Sequence, residues 1–171
     1  MSGWWARVKG VVVNRILGLH DTPHRIAWGV FLGFVVAFSP TVGLQMVIYL
    51  AVATALRANK VSGLPVVWLT NPVTLVPVYY ACWRIGAFVL GTDDDPARGE
   101  RIIAQLMGAG TEWAWGRLFE AEFWRELGRT LVDLGAELWL GGFVVGVALG
   151  ALFYPITIAA VRAYRRAMPG R

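Results

Sequence analysis

Two long apolar runs dominate this chain, and each is broken near its middle by polar residues and a proline. The first extends from Ile26 to Leu56 and is interrupted at Ser39-Pro40-Thr41. The second extends from Val61 to Leu90 and is interrupted at Thr70-Asn71-Pro72. Apolar stretches of this length suit a bilayer, where backbone amides find no water. A break at their centre frees backbone groups that must be met by protein or face a wet cavity. In transporters, such interruptions form binding sites near the membrane midplane.

The lengths of the halves set the expected topology. Ile26 to Phe38 and Leu44 to Leu56 are 13 residues each. At the helical rise each half reaches only about 20 Å, short of a hydrocarbon core of about 30 Å. Arg25 precedes the run, and Arg57 and Lys60 follow it. Basic flanks prefer the cytoplasmic side. A re-entrant hairpin with its tip at Pro40 to Gly43 is therefore expected, in preference to one tilted helix kinked at Pro40. The second run divides unequally. Gly63 to Leu69 is too short to cross, whereas Val73 to Leu90 spans 18 residues, about 27 Å. Asn71 is expected as the N-cap of this helix, with Pro72 in its first position. The last apolar run, Leu138 to Val161, has 24 residues and can cross fully. Arg162, Arg165, Arg166 and Arg171 follow it, which puts the C-terminus in the cytoplasm.

Two flanking segments are amphipathic. In 1–20, Trp4, Val8, Val12, Ile16 and Leu19 recur at helical spacing against Arg7, Asn14 and Arg15. This suits a helix in the membrane interface, or one facing the core. In 92–136, Trp115, Phe119, Phe123, Leu127 and Leu131 repeat every four residues. Thr22-Pro23 and Asp95-Pro96 read as helix starts. The expected protein is a single membrane domain over 1–171, all-α and integral to the membrane. It contains two broken, re-entrant-type helix pairs (26–56 and 61–90), a C-terminal transmembrane helix (138–161) and amphipathic interfacial helices.

Composition supports the membrane reading. Apolar residues make up 57% of the chain and charged residues only 16%, against about 25% in soluble domains. The net charge of +5 hides an asymmetry: Thr92 to Glu137 holds ten acids and five arginines, so the remainder carries +10. Because the basic groups flank apolar runs, they read as topology signals rather than as a nucleic-acid surface. The expected location is the bacterial inner membrane, with both termini cytoplasmic and the acidic segment outside. Cys82, the single cysteine, excludes an intrachain disulfide. Fourteen arginines against two lysines suit a GC-rich bacterial genome.

Candidate chemistry concentrates at the breaks. Pro40 and Pro72 each remove a backbone donor. A helix restarting after each break presents free N–H groups and a partial positive charge suited to phosphate or carboxylate. Ser39, Thr41, Gln45, Thr70 and Thr74 add polar side chains, and Gly43 and Asn71 lie at the tips. Nine residues are thus candidates for ligand binding: Ser39, Pro40, Thr41, Gly43, Gln45, Thr70, Asn71, Pro72 and Thr74. The plainer alternative is that these side chains satisfy one another's broken backbone. Gly142, Gly146 and Gly150 fall every four residues on the last helix, and Gly29 and Gly33 on the first. They are expected to let helices approach closely, on one another, on a third helix or on a second copy. Arg84 is expected to snorkel or to pair with the acidic segment. His20 and His24 are four apart, but Pro23 spoils a shared helical face. Asp93-Asp94-Asp95 reads as a solvated loop and cap. Neither metal, cofactor nor catalytic group is expected.

Pro23-His24-Arg25-Ile26-Ala27, Phe38-Ser39-Pro40-Thr41-Val42-Gly43-Leu44-Gln45, Arg57-Ala58-Asn59, Asn71-Pro72 and Arg84-Ile85-Gly86 together resemble a small bacterial membrane family catalogued as a domain of unknown function. The resemblance covers 20–91 and returns at the last helix. It implies an integral membrane protein. The fusion of some relatives to polyprenyl-phosphate glycosyltransferases points toward lipid-linked substrates. In architecture alone, paired broken hairpins are also similar to families that move polyprenyl phosphate or phospholipids across bilayers. The leading expectation is a non-enzymatic protein that binds, and by extension translocates, a phosphate-bearing lipid. A small-solute or ion transporter, and a structural partner of a membrane enzyme such as a lipid-linked glycosyltransferase, are the alternatives. The expected partners are anionic or phosphate-bearing lipid, with a second copy or a membrane enzyme as further candidates, and no nucleic acid.

Overall fold

The structure, a computed structural model, describes residues 21–41, 44–70, 74–92 and 135–167, with a few positions between 97 and 129. The segment 1–20 and most of 92–136 lie outside the described residues, and so do Gly43, Asn71 and Pro72. Every described element is a helix: α1 (Pro23–Ala37), α2 (Gln45–Ala55), α3 (Lys60–Val67), α4 (Leu75–Leu90) and α5 (Gly135–Ala167). Of these, α5 is long and apolar enough to cross a membrane, with 33 residues and a mean hydropathy of 2.2 in its most apolar stretch.

Local chemistry explains the ends. Thr22 is extended and its Oγ1 accepts from Arg25 N, while Pro23 supplies the preset φ of the first turn. The first helix stops at Ala37 because Pro40 cannot donate and disfavours a helical Ser39. After α2, Arg57 turns into the left-handed region at φ 51°. Ala58 N then bonds back to Ala53 O at 2.8 Å, which closes the helix in a Schellman turn. Asn59 starts α3, its Oδ1 accepting from Val61 N at 3.0 Å and Ser62 N at 3.1 Å. Gly91, at φ 65°, ends α4.

One expectation needs correction. The sequence reading restarts the second broken helix at Pro72 with Asn71 as cap; α4 begins at Leu75, with Thr74 in the cap position. The Thr74 hydroxyl donates back to Leu69 O at 2.6 Å. It is therefore spent on the end of α3 rather than on the start of α4.

The first helix is central. It is buried on most of its circumference and packs against α2, α3 and α5, while α4 packs along α5. Small residues set these approaches. A Cβ on Gly29 would collide with Asn59 O and Ser62 Oγ, and one on Gly33 would lie 2.9 Å from Gly63 O. Both therefore face α3. On α5, Gly142 faces Phe38 O, Gly146 lies against Phe34 and Val35, and Gly150 faces the Phe31 ring. The α5 row thus meets α1, whereas the α1 row meets α3, so the two rows do not meet each other. Gly86 of α4 and Gly141 of α5 make a third close approach, against Glu137 O and Cys82 O respectively.

The chain goes out along α1 and returns along α2. Arg25 Nε donates to Arg57 O at 2.7 Å and Asn59 N to Arg25 O at 2.9 Å, so the start of α1 meets the turn after α2. Then α3 goes out again, antiparallel to α2. Tyr49 OH crosses between them, donating to Asn59 O and accepting from Gly63 N, each at 3.0 Å. Both breaks consequently fall at one level, far from the basic turn.

Candidate functional site

The two breaks are joined. Thr70, at the end of α3, donates its hydroxyl proton to Ala37 O, the last carbonyl of α1, at 2.9 Å. Gln45 Oε1 lies 3.1 Å from the same hydroxyl, and Gln45 Nε2 donates to Thr70 O at 3.1 Å. The first residue of α2 thus holds the turn that follows α3 through its amide N–H, with its Oε1 beside the Thr70 hydroxyl. Tyr79, one turn into α4, donates to Ser39 O at 2.8 Å. Ser39 Oγ donates to Val36 O at 2.7 Å, and the Thr41 hydroxyl lies 2.9 Å from Ser39 Oγ. A serine has one hydroxyl proton, so Thr41 donates in that last pair.

A pattern emerges in where the donors go. Ser39, Gln45, Thr70, Thr74 and Tyr79 all direct a donor at a carbonyl on the outgoing side of a break: Val36 O, Thr70 O, Ala37 O, Leu69 O and Ser39 O. Helix C-termini leave such acceptors unmet, and apolar surroundings make that costly. The residues that precede α2 and α4, Leu44 and Thr74, cap neither helix with their own side chains. Among the described residues, the side-chain donors of the break region are thus directed at the carbonyls that end α1 and α3.

Of the nine candidates, Ser39, Pro40, Thr41, Gln45 and Thr70 come together in one knot. Thr74 completes its own break through Leu69. Pro40 is fully buried, and Thr41 and Thr70 are nearly so, whereas Ser39, Gln45 and Thr74 are half-buried. Gly43, Asn71 and Pro72 lie outside the described residues. Tyr79 was missed by sequence reasoning. Its signal was a hydroxyl on the buried stripe Leu75, Tyr79, Cys82, Trp83, Gly86 of an otherwise apolar helix.

A second polar constellation, also missed, occupies the basic end. Asp21 pairs with Arg25 at 3.1 Å and accepts from Asn59 Nδ2 at 3.1 Å. Its backbone carbonyl accepts from the Arg165 guanidinium near the end of α5. His24 Nδ1 lies 3.1 Å from Tyr154 OH beside it. One acid thus ties the start of α1, the α2–α3 turn and the end of α5. The available signal was compositional: Asp21 is the only acid outside 92–137. Among the described residues, no three His, Cys, Asp or Glu side chains gather into a metal-binding group. A cavity of about 640 Å³ opens away from the breaks, between Arg84, Ile85, Phe88 and Thr92 on the far part of α4.

Among the described residues these features define a class: a helical bundle of interrupted helix pairs with one long apolar helix behind them. The chain belongs to the bacterial family described as "Uncharacterized protein conserved in bacteria (DUF2062)", whose model matches residues 6–168. The match takes in both breaks, the Asp21 constellation and α5. No curated protein and no solved structure matches the chain.

Proposed function

We propose that this protein is an inner-membrane lipid-binding protein that captures a phosphate-bearing headgroup at the paired breaks. The observation that carries the proposal is that the described side-chain donors at the joined breaks are directed at carbonyls ending α1 and α3, while Leu44 and Thr74, the residues preceding α2 and α4, cap neither helix with a side chain. An anionic headgroup between those restarts accepts from their first N–H groups. The acyl or prenyl chains remain in the bilayer, and no catalytic group is needed.

Membrane insertion is supported by exposure. Only 22% of the most apolar stretch of α5 is buried in the protein. Val47, Leu50, Trp68, Phe88, Phe143 and Leu152 are all exposed. An apolar surface of this extent is costly in water and neutral in lipid. In this reading α1 and α2 form a re-entrant hairpin, α3 and α4 an interrupted crossing, and α5 a return to the cytoplasm. A topology test follows in spheroplasts, because native Cys82 is 1% exposed and stays silent to maleimide. Asp94→Cys should react with an impermeant maleimide from outside, and Ala167→Cys only after permeabilisation. Labelling of both from the same side would remove the crossing.

Ligand capture is tested by native mass spectrometry of protein released from mild detergent. A phosphate-bearing lipid is expected at one per protein, and lost in Asn71→Leu at unchanged melting temperature. Equal retention by wild type and variant would refute binding at the breaks.

A further inference from the structure

The turn between α2 and α3 is built at a cost that a different residue would avoid. Arg57 holds φ 51°, the conformation that Gly91 holds at φ 65° after α4. The two turns close alike, with Ala58 N on Ala53 O and Thr92 N on Ala87 O. Glycine adopts this left-handed position freely, and a residue with a Cβ does not. Position 57 nevertheless carries the longest cationic side chain.

That side chain does no visible work for the fold. Arg57 contributes its backbone, as an acceptor for Arg25 Nε and a donor to Thr54 O. Its guanidinium is exposed and meets no acceptor among the described residues. The Lys60 ammonium is in the same situation. By contrast, the guanidinium of Arg25 is engaged, held by Asp21 and by Arg57 O. The turn itself is fixed from below by Asp21 through Arg25 and Asn59, so two unspent cations are presented on a rigid mount. They are flanked by exposed aliphatic residues, Leu56 at 60% and Val61 at 48%.

We infer that the 56–61 turn is a docking point for anionic lipid headgroups, with Arg57 and Lys60 meeting the phosphates and Leu56 and Val61 entering the acyl boundary. Paired cations on an apolar step match the headgroup region of a charged leaflet, where each cation adds attraction and each aliphatic side chain adds burial. A soluble anion would find no use for the aliphatic flanks. The inference rests on the membrane placement proposed above but not on a ligand at the breaks.

The test compares melting temperatures of the detergent-solubilised full chain with added dioleoylphosphatidylglycerol or dioleoylphosphatidylcholine. Phosphatidylglycerol should raise the wild-type value by about 4 °C over phosphatidylcholine. Arg57→Gly should lose at least half of that rise while melting no lower than wild type in phosphatidylcholine, because it relieves the left-handed strain. Arg57→Lys should keep most of the rise. Ala51→Leu, on the exposed side of α2 and outside both the turn and the breaks, should keep all of it. The lipid retained one per protein in native mass spectrometry should be unchanged in Arg57→Gly, so failure at the breaks and failure at the turn are read separately. Three results would overturn the inference: a full lipid-dependent rise in Arg57→Gly, a lower melting temperature for that variant in phosphatidylcholine, or an equal rise with inorganic phosphate.

Discussion

Thr70→Val should destabilise the solubilised protein by about 2 kcal/mol, and Thr70→Val combined with Tyr79→Phe by more than the sum of the two single changes. Valine keeps the shape of threonine and removes only the hydroxyl. Thr70 is 5% exposed, so Ala37 O would lose its nearer donor where water cannot replace it. An unmet buried acceptor costs about 1–3 kcal/mol. The excess in the double variant has a geometric origin. Tyr79 OH lies 2.8 Å from Ser39 O and 3.5 Å from Ala37 O. In Thr70→Val it can move toward Ala37 O, leaving Ser39 O to Thr41 N, which already lies 2.8 Å away. In Tyr79→Phe, Thr70 still serves Ala37. Only the double variant leaves Ala37 O without a side-chain donor. A double-mutant cycle in chemical denaturation should show a coupling of at least about 0.5 kcal/mol. Strict additivity would mean that the two breaks are independent and that the knot is only proximity.

That knot marks the boundary between what was readable in the chain and what was not. The interruptions themselves are local events. Pro40 and Pro72 forbid continuous hydrogen bonding, and Ser39, Thr41, Thr70 and Thr74 stand out in apolar surroundings. The Thr22-Pro23 start follows from the same short-range rules. The reach of Gln45 to Thr70, 25 residues away, depends on the hairpin folding back, which no local pattern encodes. The direction of the donors was equally hidden, since a threonine beside a break can serve the incoming or the outgoing helix. The Asn71-Pro72 pair has the chemistry of a helix start, but Thr74 is spent on Leu69 O and α4 begins only at Leu75. Glycine spacing flagged α1 and α5 but not their partners. Gly63, Gly86 and Gly141 are as closely packed without falling in the rows read from the sequence. Asn59 was legible in principle as a cap before Lys60, yet its side chain also holds Asp21, 38 residues upstream.

Gly29→Leu should prevent recovery of folded protein, whereas Ala51→Leu should have little effect. Gly29 faces the start of α3 at a close approach of the two backbones. Even a methyl group there would meet Asn59 O and Ser62 Oγ. The collision is with a backbone carbonyl and a short side chain, neither of which can swing away, so α1 and α3 must separate. Separation breaks more than packing. Ser62 Oγ bonds Ile26 O at 2.9 Å, and Asn59 N bonds Arg25 O at 2.9 Å. Asn59 Nδ2 holds Asp21 from the same turn. Overpacking costs about 1–3 kcal/mol, and each of three lost hydrogen bonds about 1 kcal/mol more. The sum is comparable to the whole stability of many domains. Ala51 lies on the exposed side of α2, where a leucine has room and changes little. Size-exclusion profiles of the two variants in the same detergent decide the matter. A monodisperse Gly29→Leu peak with wild-type melting would show that α1 and α3 do not pack at Gly29. An equal loss in Ala51→Leu would place a partner, rather than lipid, on the outer side of α2.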